Sequence, residues 1–153
     1  MKKILIILAA VLTAVTFVLS SITIYTWYQS SKYEETAIPY VKMVVPEISE
    51  WNPDTIIELM PEESLKKTPK EDIVKIVDYL SRLGALLKIE EPEFSKVFTG
   101  ATVDGVQNTL VSYTVDAEYE SGEAVVTINL LDQGDSFKVY NFHFNSLALA
   151  NQP

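Results

Sequence analysis

Residues Ile4 to Tyr28 carry no charge, directly follow Lys2 and Lys3, and constrain this chain more than any other feature. A helix rises about 1.5 Å per residue, so about 20 apolar residues cross a bilayer. The run exceeds that length and closes on Trp27 and Tyr28, residue types that settle at membrane interfaces. Residues 1–28 therefore read as one transmembrane anchor, with the lipid bilayer as the partner of residues 4–28. A cleaved export signal is the rival reading. Its apolar core would be about 7–15 residues long and end at an A-x-A-like site. Here the small pair Ser20-Ser21 leads straight back into Ile22-Thr23 and further apolar residues. The chain has no cysteine, so no thiol is present to carry a lipid.

Flanking charge gives the orientation. Lys2 and Lys3 lie on one side of the run, and Lys32 with the acidic pair Glu34-Glu35 on the other. Lysine favours the cytoplasmic side, which places the N-terminus inside and the rest of the chain outside. Either reading of the run exports the residues beyond it.

The remainder is expected to comprise a polar juxtamembrane hinge at 29–33 and one domain at 34–153, since about 100–150 residues is the usual domain size. Without Lys2 and Lys3, ten basic residues face 21 acidic ones, a net charge of −11. Such a surface repels phosphate backbones, so nucleic acid is not an expected partner. With no disulfide available, the fold must rest on its core.

After the hinge the spacing of Ile38, Val41, Val44, Val45 and Ile48 predicts an amphipathic helix, with Pro39 in its first turn and a kink or interruption at Pro46. Asn52-Pro53-Asp54 signals a short helix carrying Ile56, Ile57 and Met60, which stops at Pro61. Thr68-Pro69-Lys70-Glu71 has the form of a capping box. The helix it opens should bury Ile73, Ile76, Val77, Leu80 and Leu83, and end at Gly84. The period then changes from about 3.6 to 2. Leu86 to Ile89 and Phe94 to Thr102 read as short strands. Val111, Tyr113, Val115, Ala117 and Tyr119 alternate with polar residues, and tight turns at 120–123 and 132–135 lead into strands 124–131 and 137–145. Helices first and an antiparallel meander afterwards define an α+β fold, with the helices packed on one sheet face.

This order resembles the nuclear transport factor 2-like superfamily over roughly residues 34–146. The similarity is carried by the hairpin stretch Ser112 to Leu130 and the final strand Phe137 to Phe144, where Phe137 takes the aromatic place that opens the last strand in small exported bacterial members. The resemblance implies N-terminal helices seated on a curved antiparallel sheet (a cystatin-like cone). It also implies a bacterial cell-membrane protein whose domain is periplasmic or extracellular. The superfamily includes enzymes, binders and assembly factors, so the likeness selects no activity.

The chemistry-bearing residues are few. His143 is the single histidine, which leaves no multi-histidine metal site and no two-imidazole relay. Alternation puts it on the opposite sheet face from Phe142 and Phe144, beside Asn141 and Asn145. Enzymes of the superfamily place an acid or histidine inside the cone, often beside a tyrosine, which would fall here to Asp116, Glu118 and Tyr113. The strand period sends the two acids to one face and Tyr113 to the other. Asp132 to Asp135 and Glu90, Glu91 and Glu93 offer carboxylates without the spacing of a calcium loop, and read as a turn and a solvated loop. Trp51 reads as a core aromatic between the first two helices. The sequence thus nominates no catalytic, cofactor-binding or metal-binding residue and no cofactor. The leading expectation is a non-catalytic membrane-anchored domain that binds a partner protein or a small apolar ligand. An isomerase- or dehydratase-type enzyme is the alternative. So is an envelope or secretion scaffold, or a homodimer joined through apolar residues on the bare sheet face.

Overall fold

The computed structural model describes the backbone of residues 2–101 and 107–150, and within them all side chains except those at 2–10, 14, 19, 21–30 and 101. The chain divides into two compact units, Met1–Glu34 and Glu35–Pro153.

Helix α1 runs from Lys2 to Ile48 and supplies residues to both units. Among the described residues no helix is long and apolar enough to cross a membrane. Most of the expected anchor, 4–28, has its side chains outside the described set. Within that unit Val11, Leu12, Val15, Phe17 and Val18 are exposed. Thr16 Oγ1 donates to the carbonyls of Leu12 and Thr13, and Ser20 Oγ to that of Thr16 at 2.8 Å.

Two expectations for α1 are corrected. Pro39 lies inside the helix rather than in its first turn, and Pro46 does not interrupt it; residues 29–33 fall within α1 as well. Ala37, Val41, Val44, Val45 and Ile48 are buried, while Ile38 is half-buried. An interior proline costs about 3 kcal/mol, whereas each buried valine or isoleucine returns roughly 1.5–3 kcal/mol. Four such residues outweigh either proline. The helix ends where Trp51 takes φ 57, a left-handed conformation that is rare for a bulky residue.

Helix α2 (Pro53–Leu59) begins as its signal predicts, with Asn52 Oδ1 accepting from the Asp54 amide at 3.0 Å. Helix α3 (Glu62–Lys67) has no counterpart among the expected elements, and it removes the capping box. Thr68 closes α3 through its own amide, bonded to the Ser64 carbonyl at 2.9 Å, and Pro69 becomes the N-cap of α4 (Lys70–Leu80) with no side-chain cap. The helix starts one residue too late for Thr68 to reach it. Ile73, Val77 and Leu80 of α4 and Leu83 of the following 3-10 turn are buried as expected, but Ile76 is exposed. Gly84 ends the turn at φ 79, where a Cβ would sit 2.6 Å from Glu120 Oε2.

The sheet holds strands β1 (Leu86–Ile89), β2 (Glu93–Ala101), β3 (Gln107–Tyr119), β4 (Gly122–Asp132) and β5 (Phe137–Asn145). Antiparallel pairing runs β3-β4-β5. Strands β1 and β2 share the free edge of β3 end to end, β1 against Ala117–Tyr119 and β2 against Gln107–Thr114. Thr102, expected to close β2, lies outside the described residues. On the inner face Val111, Tyr113, Val115, Ala117 and Tyr119 meet Ala124, Val126, Ile128 and Leu130. A bulge in β5 leaves Tyr140 without an opposite residue, because Asn129 pairs with Asn141 and Leu130 with Val139. The extra residue lets Phe137, Val139, Phe142 and Phe144 all serve the inner face. Helix α1 crosses this face. The Tyr40 ring lies 5.7 Å from that of Phe137, and the Ser49 hydroxyl lies 2.8 Å from that of Tyr119.

The helices do not all pack on one face. Val111, Ser112 and Tyr113 are consecutive and all buried, as are Leu130 and its neighbour Leu131, so this end of the sheet is covered on both sides. Helix α3 covers the outer side. Both Glu63 carboxylate oxygens accept from Asn108 Nδ2 at 3.0 Å, and Lys67 Nζ donates to the Tyr140 hydroxyl at 2.6 Å. Six residues, EESLKK, carry no apolar stripe, which is why the sequence does not announce this helix.

Candidate functional site

The residues singled out from the sequence do not converge. Tyr113 is fully buried on the inner face, its ring edge-on to Phe94 at 5.9 Å. Asp116 and Glu118 lie on the outer face and are exposed. His143 is also on the outer face, paired in register with Thr127 and flanked by exposed Asn141 and Asn145. Asp132 and its neighbours form a turn in which Asp132 Oδ1 accepts from the Gly134 amide at 2.8 Å, with Gly134 at φ 90. The loop acids pair with lysines, Glu90 with Lys88 and Glu91 with Lys42. Among the described residues no group of three His, Asp or Glu side chains is placed to hold a metal ion.

Trp51 is half-buried, and its partners differ from those expected. Instead of lying between two helices, its indole packs 5.7 Å from the Tyr119 ring and 5.6 Å from that of Phe144. Its Nε1 donates to the Gly84 carbonyl at 2.8 Å. The left-handed turn at Trp51 aims the ring back over the sheet. Burial is the main cause that raises the Tyr119 phenol above its ordinary value of 10.0, and the Ser49 hydroxyl offsets part of that rise.

On the outer face of β4 and β5 lie Thr127, Asn129, Asn141, His143 and Asn145, with Val125 at 41% exposure. Asn129 Nδ2 donates to Asn141 Oδ1 across the strands.

The concave feature lies where α3 meets the outer face. An open notch of about 540 Å³ has Met60, Pro61 and Leu131 as its apolar wall, with Glu62, Glu63, Lys66, Gln133 and Lys138 around it. Pro61 and Leu131 are buried and Met60 half-buried. Lys138 reaches from β5 to the end of α2, where its Nζ donates to the Glu58 carbonyl at 2.8 Å. The chain turns sharply into this wall because Met60 and Pro61 adopt extended backbone between α2 and α3. Sequence reasoning missed these residues. The available signal was the doublet Lys66-Lys67, two adjacent cations in a strongly acidic chain.

No protein-family model matches the chain, and no curated protein matches it. The fold defines an α+β unit of helices followed by a five-stranded antiparallel sheet.

Proposed function

We propose that this is a single-pass membrane protein, held by residues 4–28 with its N-terminus in the cytoplasm. Its α+β unit acts outside as a non-catalytic binding domain of the nuclear transport factor 2-like type. The observation that carries the reading is on α1. Val11, Leu12, Val15, Phe17 and Val18 are exposed around most of the helix, and the hydroxyls of Thr16 and Ser20 turn back onto its own carbonyls. A surface of exposed apolar side chains and internally satisfied polar groups suits hydrocarbon and costs free energy in water. In the sequence the uncharged run continues on both sides of these residues, from Ile4 to Tyr28. The binding role is supported by the open notch under α3, which sets an apolar wall beside charged groups.

The test is fractionation of the full-length protein from expressing cells, with sequencing of its N-terminus. Retention in the membrane pellet after carbonate extraction, with residues 1–28 intact, is the expected result. A mature chain beginning near Ser21 or Ile22 overturns the anchor.

A further inference from the structure

We propose that the notch under α3 takes a small amphiphile with a carboxylate head, its apolar part against Met60, Pro61 and Leu131 and its head beside Lys66 and Lys138. The inference rests on the reading of this unit as a binding domain and narrows its ligand to one chemical class.

The argument begins with charge. Residues 35–153 hold 20 acidic and nine basic residues, so a lysine here has carboxylates in easy reach. Lys42, Lys75 and Lys88 each use one. The two lysines that line the notch do not, among the described residues: Lys138 donates to a backbone carbonyl and Lys66 forms no salt bridge. Lys70 and Lys96 form none either, and what sets Lys66 and Lys138 apart is their place beside an apolar wall.

The acids at the notch are arranged differently. Glu63, which also lines the notch, has both oxygens held by the neutral Asn108 amide and keeps its charge, and Glu62 is the exposed carboxylate on the rim. The Lys66 and Lys138 ammoniums keep donors for an incoming oxyanion, and charge-assisted bonds of that kind are about twice as strong as neutral ones. The wall supplies the apolar half. Leu131 and Pro61 are fixed by burial, and the unbranched thioether of Met60 adapts to the shape of a molecule lying on it. A volume of about 540 Å³ fits a small ligand and is far too small for a folded partner.

The experiment titrates isotope-labelled full-length protein in nonionic detergent with three probes that share one chain and differ in head: hexanoate, hexanol and hexylamine. Amide shifts are followed at Met60, Lys66, Leu131 and Gln133. Saturable shifts with hexanoate are expected, with hexanol roughly tenfold weaker or more and hexylamine weaker still. Lys66→Gln, an exposed substitution that leaves the fold alone, should weaken hexanoate about tenfold while leaving hexanol unchanged. Equal responses to all three heads overturn the carboxylate assignment and leave the apolar binding site standing. An unchanged hexanoate affinity in Lys66→Gln removes the lysine from the site and overturns the proposal as stated. Silence of these amides toward every probe overturns both this inference and the small-ligand reading beneath it.

Discussion

Ser49 and Tyr119 stand 70 residues apart in the chain and 2.8 Å apart in the fold, hydroxyl to hydroxyl and both buried. Ser49 Oγ also donates to the Val45 carbonyl at 2.8 Å, which commits its one proton. Tyr119 is therefore the donor between them. The pair ties the last turn of α1 to the end of β3. Ser49→Ala and Tyr119→Phe should each cost about 1 kcal/mol in urea unfolding of the full chain. The double variant should cost less than their sum, because one bond is lost in both. Strict additivity would mean that the two hydroxyls do not interact.

The same tyrosine sets an alkaline limit. Burial raises the phenols of Tyr119 and Tyr40 above 10.0, with Glu47 adding to the rise at Tyr40. Above pH 10 the unfolded chain releases these protons while the folded chain keeps them, so stability falls as pH rises. Their contribution is fully present below pH 10.0 and is lost as pH climbs through the raised folded values. Unfolding midpoints measured across that range should drop more steeply for the natural chain than for Tyr119→Phe. Parallel profiles would contradict the raised value.

Trp51 combines a strained backbone with three contacts, to Tyr119, Phe144 and the Gly84 carbonyl. Trp51→Phe keeps an aromatic ring over the sheet and removes the indole donor, at an expected cost of about 1 kcal/mol. Asparagine tolerates the left-handed region better than most residues but would pack nothing at this position. Trp51→Asn should therefore cost more than Trp51→Phe despite easing the backbone. The opposite order in thermal unfolding would show that strain outweighs packing at this turn.

Helix α4 gives a test of core against cap. Leu80 is buried, and Leu80→Ala should cost roughly 2–5 kcal/mol. Thr68 lies outside the helix start, so Thr68→Ala should stay within about 0.5 kcal/mol, less than the typical loss of about 1 kcal/mol at a working cap such as Asn52. A Thr68 loss equal to that of Asn52→Ala would restore the capping box.

His143 and Asp116 are exposed on the outer face and 27 positions apart in sequence, on strands separated by β4. His143→Ala and Asp116→Asn should each leave stability within about 0.5 kcal/mol. A cellular phenotype lost specifically in either variant would place chemistry at that residue and move the protein among the enzymes.

The sequence alone determined the parts of this protein that depend on local period. An uncharged run of residues 4–28 needs no partner to be recognised, and alternation from Val111 to Tyr119 assigns each side chain a face before any neighbouring strand is known. Gly84 and the Asn52 cap were legible for the same reason, since turn and cap chemistry act within a few residues. The tertiary structure decided the features that depend on partners distant in the chain. Pro39 and Pro46 stay helical because burial of the surrounding turns outweighs their cost. Tyr140 bulges so that aromatic residues on both sides of it can face the same core. Helix α3 has too little apolar pattern to declare a face, and only its bonds to Asn108 and Tyr140 carry it to the outer side. The notch follows from that placement. Its wall joins residues 60 and 61 to residue 131, and no local pattern records which distant segments a polar six-residue helix will bring together.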